Sequence, residues 1–159
     1  MRILAGSDKA ETDRQHFFMS QIIFCILAAT DGHAKNFSIA QLPRNAYRAT
    51  PLYDVLSAHP VIGTGANKFS IRGVKLSMAV HGKNTHYLIN DIRRNHWIAE
   101  GQRVGLAPKY VSDMIEIVTA KTEAVIAEVP SQLPKNFPKD VSDAIFAGML
   151  RLSKKLASQ

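Results

Sequence analysis

The chain has 159 residues, of which 46% are hydrophobic and 21% charged, and this composition is typical of one soluble globular domain. Its 20 Lys and Arg residues against 13 Asp and Glu residues give a net charge of +7, which favours an acidic partner without identifying it. The single cysteine, Cys25, excludes an internal disulfide and any zinc site that needs two thiolates. No segment has the apolar length of a membrane span or a secretory signal, so we expect a cytoplasmic protein.

The positive charge is concentrated in one segment. Residues 61–110 carry eight basic and two acidic side chains, a net charge of +6, whereas residues 1–60 carry +1 and residues 111–159 carry zero. A face that binds a partner has this composition, and so does an exposed, solvated surface, so both interpretations stay open. The basic residues of the segment are Lys68, Arg72, Lys75, Lys83, Arg93, Arg94, Arg103 and Lys109.

The first predicted element is a helix over residues 13–29. Its second half, from residue 22 onwards, is apolar on every side, so we expect it to be buried all round, with Cys25 as a small buried hydrophobe. The pair Asp31-Gly32 then supplies a turn that ends the helix.

A β-hairpin is predicted next. Residues 36–40 alternate polar and apolar side chains, residues 43–46 contain turn formers, and residues 47–50 can return as a second strand before Pro51. Three glycines within residues 61–80 indicate loops and short strands, and a helix is expected near residues 87–100.

Two further helices are predicted in the last third of the chain, because apolar residues recur there at spacings of three and four. Pro108 suits the first turn of the first of them. We expect both helices to be core scaffold without chemistry. Their apolar residues are Val111, Met114, Ile115, Val118, Val125 and Ile126, then Val141, Ile145, Met149, Leu152 and Leu156.

The residues best suited to chemistry lie between the first helix and the hairpin. Asp31 and Asn36 are five positions apart, the spacing at which one carboxylate orients an attacking hydroxyl and one amide oxygen reaches a magnesium ion in phosphoryl transfer. Asp54 follows the hairpin and is placed to supply the second metal-binding carboxylate. On spacing alone a simpler alternative would be favoured, in which Asp31 caps a turn, Asn36 bonds a loop carbonyl and Asp54 caps a following helix.

Two longer segments carry a family resemblance. Thr-Asp-Gly-His-Ala-Lys-Asn-Phe-Ser at residues 30–38 and Thr-Pro-Leu-Tyr-Asp-Val-Leu-Ser-Ala at residues 50–58 resemble the HipA-like serine/threonine kinases of bacterial toxin–antitoxin systems. The similarity continues more loosely to the last helix. It implies a mostly helical α+β fold, a protein-kinase-like C-terminal lobe in which a small β-hairpin carries the catalytic and metal-binding loops.

The resemblance also implies residue roles and partners. Asp31 would be the catalytic aspartate, His33 and Lys35 would belong to the catalytic loop, and Asn36 and Asp54 would bind Mg²⁺ and, through it, ATP. The implied substrate is a serine or threonine of a protein such as an aminoacyl-tRNA synthetase. The implied partner is an antitoxin that is a DNA-binding repressor.

A kinase also needs a glycine-rich loop and a strand lysine, both N-terminal to the catalytic loop. Only thirty residues precede Asp31, with Gly6 as their one glycine. We therefore expect residues 1–159 to form a single kinase C-terminal lobe that lacks the amino-terminal nucleotide-clamping lobe and is inactive alone. The alternative is a non-catalytic binding module that docks an antitoxin, a separately encoded amino-terminal lobe or DNA, with residues 61–110 making nonspecific DNA contacts.

Overall fold

The computed structural model describes residues 1–158. Four α-helices form the larger part of its regular structure, and they are α1 (Ala10–Leu27), α2 (Arg94–Arg103), α3 (Pro108–Glu128) and α4 (Lys139–Ala157). Two small antiparallel sheets complete the fold, so the predicted mostly helical α+β class is confirmed. Within residues 1–158, none of the helices combines the length and the apolar character needed to cross a bilayer.

Helix α1 confirms the first predicted helix, with its start three residues earlier and its end two residues earlier than expected. Glu11 and Asp13 lie in its first turn, where carboxylates interact favourably with the helix dipole. The helix ends at Ala28, which has φ 51° and ψ 45° in the left-handed region that usually favours glycine. Because the Ala28 side chain is fully buried, its methyl group contributes packing that glycine would not.

The core forms around the second half of α1, as its apolar sequence predicts. Helices α3 and α4 pack against α1, and α2 packs against α3 and the second sheet. Cys25 is buried there, and this burial raises the pKa of its thiol to about 12, although Lys155 acts in the opposite direction. The main core side chains are Phe18, Ile22, Ile26, Leu76, Val80, Ile89, Ile92, Trp97, Val111, Met114, Ile115, Leu152 and Leu156.

The predicted hairpin is present. Strands β1 (Ile39–Gln41) and β2 (Tyr47–Ala49) pair antiparallel, with Ile39 opposite Ala49 and Gln41 opposite Tyr47. A short 3₁₀ turn, Pro43–Asn45, joins them.

A buried carboxylate ties this hairpin to α1. Asp13 is only 2% exposed, and its Oδ2 accepts a 2.8 Å hydrogen bond from the backbone N–H of Ala49 and another from the Ser7 hydroxyl. Burial acts to raise the pKa of Asp13, but these two hydrogen bonds and the nearby Arg48 outweigh it, so the pKa is lowered. The hairpin is therefore held at a fixed position beside the helix.

The second sheet corrects one prediction. Strand β3 (Lys75–His81) pairs antiparallel with β4 (Thr85–Leu88), so Tyr87 belongs to a strand and not to the expected helix, which begins only at Arg94. Val80 and His81 pair with this segment across the sheet, and such non-local pairing overrides a local helical pattern. Strand β3 is also longer than the short pieces expected within residues 61–80.

The two C-terminal helices form the expected scaffold, with one difference in burial. Val111 and Met114 of α3 are buried, but Val125 is 42% exposed, so only the first half of the predicted apolar stripe enters the core. Helix α2 approaches α3 closely at Gly101, where a Cβ atom would lie 2.3 Å from Cγ2 of Val111. A side chain at this position would force the two helices apart.

Candidate active site

The loop between α1 and β1 carries four of the five predicted site residues. It turns at Gly32, where an added Cβ atom would lie 2.4 Å from Cδ2 of Phe24 in α1. The carbonyl oxygen of Thr30 accepts a hydrogen bond from the Ser77 hydroxyl of β3. The start of the loop is therefore held against both α1 and the second sheet.

An aromatic cluster fixes the other end of this loop. The ring of Phe37 lies 4.7 Å from that of Phe17 and 5.8 Å from that of Phe24, measured between centroids, and aromatic pairs at these separations attract each other. The 3₁₀ turn Ala34–Asn36 immediately precedes Phe37. The position of Asn36 is therefore set by the packing of its neighbour.

Asn36 and Asp54 are in direct contact. The Asn36 amide Nδ2 donates a 2.7 Å hydrogen bond to Oδ2 of Asp54, although the two residues are 18 positions apart. Asn36 is 3% exposed, and its Oδ1 is buried without a hydrogen-bond partner among residues 1–158. Asp54 has a φ of 55°, a conformation that costs an L-residue about 1–2 kcal/mol, so the surrounding contacts hold it there.

Tyr53 provides one of those contacts, and the sequence did not single it out. Its hydroxyl lies 2.7 Å from Oγ of Ser38 and donates a 3.0 Å hydrogen bond to the carbonyl oxygen of Lys35. A tyrosine hydroxyl can donate once and accept once, so Ser38 is the donor in the first bond. The available signal was the position of Tyr53 directly before Asp54 in the sequence.

The segment after Asp54 is tied to the end of α1. The Ser57 hydroxyl donates a 2.7 Å hydrogen bond to the Leu27 carbonyl oxygen, and the Ala58 N–H donates a 3.1 Å bond to that of Ala28. Both loops of the site are therefore attached to the C-terminal end of one buried helix.

The three predicted catalytic-loop residues lie on the surface beside this pair. The Asp31 side chain is 66% exposed, and its Oδ1 lies 3.7 Å from Nε2 of His33. Lys35 is exposed as well. In the described part of the chain no hydrogen bond joins Asp31 to Asn36 or Asp54. The structure thus brings Asn36 and Asp54 into contact, and it places Asp31 in the same loop as Asn36 without a hydrogen bond to either of them.

The Asn36–Asp54 pair has the donor atoms that a hard divalent cation requires. Oδ1 of Asn36 lacks a partner, and carboxylate and amide oxygens are ligands that Mg²⁺ and Ca²⁺ prefer. Residues 1–158 contain no group of three or more His, Cys, Asp or Glu side chains placed to hold a metal ion. A cation here would therefore take its remaining ligands from water and a bound phosphate, which is the usual situation for Mg²⁺.

The capping alternative does not describe Asp54 or Asn36. No α-helix follows Asp54, because residues 51–58 are irregular and the next element is the 3₁₀ turn His59–Val61. The Asn36 amide bonds a carboxylate and not a loop carbonyl.

Comparison with known proteins identifies relatives that share this fold. A chain in a solved complex of the Shewanella oneidensis MR-1 toxin–antitoxin proteins HipA and HipB with their operator DNA has a similar fold, with a TM-score of 0.77 and 20% sequence identity. The similarity covers 98% of this protein and 34% of that chain, so this protein spans about a third of the length of its structural relative. The family model for the HipA-like C-terminal domain matches residues 1–126. Because that match includes α1, both site loops and most of α3, this protein belongs to the family of HipA-like C-terminal domains.

Proposed function

We propose that this protein is the catalytic-loop lobe of a HipA-like serine/threonine kinase, which transfers the γ-phosphoryl group of ATP to a protein hydroxyl. The observation that supports this most strongly is the contact between Asn36 and Asp54, with one amide oxygen left unpartnered. The same loop carries the exposed carboxylate of Asp31.

In this proposal Asp31 is the general base. A solvent-exposed carboxylate beside the metal site can orient the attacking serine or threonine hydroxyl and accept its proton. Nε2 of His33 lies 3.7 Å from Oδ1 of that carboxylate. Lys35 contributes an exposed positive charge from the same loop, which can offset negative charge on the transferred phosphoryl group.

Asn36 and Asp54 are proposed to hold Mg²⁺ with their side-chain oxygens. The ion would neutralise charge on the ATP phosphates during transfer. The Asn36 amide orients the Asp54 carboxylate through their hydrogen bond, which leaves Oδ1 of each side chain to face a cation. The left-handed backbone at Asp54 and the bonds made by Tyr53 keep this geometry fixed before the ion binds.

A second lobe is proposed to cover this site and grip the nucleotide. Leu52 and Leu56, on either side of Asp54, are 46% and 62% exposed, and Val55 is 38% exposed. Clusters of exposed apolar side chains are typical of contact surfaces. We propose that an amino-terminal lobe, on another chain or another segment, packs here and that residues 1–159 act as a single C-terminal lobe. By resemblance, the phosphorylated protein would be one such as an aminoacyl-tRNA synthetase.

Binding of Mn²⁺, a paramagnetic substitute for Mg²⁺, tests the metal assignment without requiring catalysis. We expect Mn²⁺ to broaden the amide resonances of residues 36 and 54 at lower concentration than any others. The Asp54→Ala variant should lose this selective broadening, because a single neutral oxygen does not hold the ion.

Asp140→Ala is the matched control, since it also removes one exposed carboxylate, at the start of α4. It should leave the broadening at residues 36 and 54 unchanged. Selective broadening that persists in Asp54→Ala would remove Asp54 from the metal site.

A second candidate function is a module that binds an antitoxin and DNA. The solved relative is in a complex with HipB and operator DNA, and this chain has its own surface cations. Three basic residues of segment 61–110 are neutralised internally, since Arg94 pairs with Glu116 at 2.5 Å, Arg103 with Glu100 at 2.6 Å and Lys109 with Asp113 at 2.9 Å. The other five basic residues of this segment have no acidic partner within the described residues 1–158, and they are Lys68, Arg72, Lys75, Lys83 and Arg93.

These free cations predict weak nonspecific DNA binding that falls steeply with salt. Replacing both Arg72 and Lys83 with glutamine should reduce the slope of log affinity against log salt by about 2, since each phosphate contact contributes roughly 0.9. Fluorescence anisotropy with a labelled duplex at several salt concentrations measures that slope. The control is Lys109→Gln, which removes a cation already paired with Asp113. An unchanged slope in the double variant would exclude these residues from DNA contact.

A further inference from the structure

A groove of about 710 Å³ lies between α1, α2 and strand β3, and the predicted site residues take no part in its lining. Its volume falls within the range of roughly 300–1,000 Å³ that small-molecule sites occupy. The wall is aromatic: Phe18 and Trp97 are almost fully buried in edge-to-face contact at 5.9 Å, and Phe17 and Tyr87 also line the groove. One side of the groove therefore suits a flat apolar group.

Basic side chains outnumber acidic ones in the lining of the groove. Arg2, Arg14 and Arg103 line it together with one carboxylate, that of Glu100. Both carboxylate oxygens of Glu100 already accept hydrogen bonds from the protein. The donors are the His81 backbone N–H at 3.0 Å and two nitrogens of Arg103 at 3.0 and 2.6 Å. The guanidinium groups of Arg2 and Arg14 have no carboxylate partner within residues 1–158.

Two lining residues also carry buried donors without acceptors. Nε1 of Trp97 and Nε of Arg14 have no hydrogen-bond partner in the described part of the chain, although another nitrogen of Arg14 donates to the Val104 carbonyl oxygen. Buried N–H groups in native proteins are nearly always paired. The unsatisfied hydrogen-bonding capacity of these two residues is thus all of the donor type, and an acceptor-rich group would complement it.

We propose that this groove binds a small organic anion. Its apolar ring system lies on the aromatic wall, and its anionic group lies against the guanidinium groups of Arg2 and Arg14. Planar guanidinium groups suit oxyanions because they donate parallel hydrogen bonds to two oxygens. This site is separate from the Asn36–Asp54 pair and does not depend on the proposed kinase activity.

A pair of fluorescent probes tests the proposal. 8-Anilinonaphthalene-1-sulfonate carries a ring system and an anionic group, and N-phenyl-1-naphthylamine has the same rings without the charge. Trp97 is the one tryptophan of the sequence, so quenching of its emission reports directly on this groove. We expect saturable one-to-one quenching by the sulfonate and about tenfold weaker binding of the uncharged probe.

Three variants assign the anion contact. Arg14→Gln and Arg2→Gln should each weaken sulfonate binding by about three- to tenfold, the range expected for the loss of one hydrogen bond. Arg44→Gln is the control, since Arg44 is an exposed arginine outside the groove. If Arg14→Gln fails to fold, as judged by near-ultraviolet circular dichroism, the decision rests on Arg2→Gln, because Arg2 is exposed on the rim.

Several outcomes would overturn the proposal. They are quenching that does not saturate, equal affinity for the two probes, sulfonate affinity unchanged in Arg2→Gln, and an equal loss of affinity in Arg44→Gln. The first two would mean that the groove is an apolar surface without anion selection. The last would mean that general positive charge, and not this groove, attracts the anion.

Discussion

Individual residues of the site differ in how visible they are in the sequence. Asp31, Asn36 and Asp54 stand out because phosphoryl transfer requires their residue types at that spacing, and the structure brings two of them into contact. Tyr53 and Asp13 do not stand out in the sequence. Their roles come from hydrogen bonds to residues far away in the chain, Tyr53 to Lys35 and Asp13 to Ala49. No local pattern encodes such long-range contacts.

His59 is another residue whose role depends on tertiary contacts. It is 4% exposed, its Nε2 donates a 2.9 Å hydrogen bond to the Ile26 carbonyl oxygen, and its ring packs on Gly148, where a Cβ atom would lie 2.2 Å from Nδ1. Burial lowers the pKa of His59, the hydrogen bond to Ile26 acts in the opposite direction, and Arg151 lowers it further. The folded protein therefore favours the neutral imidazole.

This depressed pKa predicts a loss of stability in mild acid. The unfolded chain binds a proton at His59 near pH 6.5, whereas the folded chain does so only at lower pH. The free energy of unfolding should therefore fall as the pH drops from about 6.5 through the folded pKa. Urea unfolding between pH 5 and 8 measures this. His96 has a lowered pKa too and acts in the same direction, so the comparison is with His59→Gln, in which the slope should be smaller. An identical slope in that variant would contradict the assignment.

At the scale of elements, the sequence predicts each helix with strong periodicity and the hairpin with clear turn residues. The sequence places residues 87 and 88, the end of strand β4, in a helix, because the partner strand β3 is a separate segment that local periodicity does not reveal. The apolar stripe of α3 likewise predicts burial for Val125, but Val125 is 42% exposed, whereas the polar Thr122 one turn earlier is 4% exposed. Local sequence patterns therefore predict where helices and strands lie better than they predict which of their residues are paired or buried.

The loop that carries Asp31 depends on one close contact with α1. In Gly32→Ala the new methyl group would overlap the Phe24 ring, so we expect a loss of about 1–3 kcal/mol in the free energy of unfolding, as for other overpacked sites. Selective Mn²⁺ broadening at residues 36 and 54 should weaken as well, because the loop moves. Chemical denaturation measures the first effect.

Gly73→Ala is the control for this substitution. A Cβ atom at Gly73 would meet no atom within 4 Å, so stability should change by less than about 0.5 kcal/mol. Equal stability of Gly32→Ala and Gly73→Ala would show that the loop does not rely on its contact with Phe24.

At the scale of the whole molecule, the family was recognisable from two short segments, and the match to the HipA-like C-terminal domain over residues 1–126 agrees with that resemblance. The pairing of Arg94 with Glu116 could not be predicted, because the two residues lie in different helices. Arg103 and Lys109 have their partners three and four positions away in the same helix, a spacing that a sequence can show. The proposed kinase has its base and metal ligands on this lobe, while the nucleotide-gripping residues are proposed to lie on another. Activity therefore depends on both parts.

The most direct test is the transfer of radiolabelled γ-phosphate from ATP to serine or threonine in bacterial lysate, with and without an added amino-terminal lobe of a HipA-like kinase. The chain alone should be nearly silent, because losing the nucleotide contacts costs several kcal/mol of transition-state stabilisation and each 1.36 kcal/mol is about tenfold in rate. The two-lobe assembly should transfer phosphate, and Asp31→Asn should abolish that transfer without changing the fold, since the two side chains are nearly isosteric. Equal incorporation by the assemblies with and without this substitution, or strong Asp31-dependent transfer by the chain alone, would contradict the account.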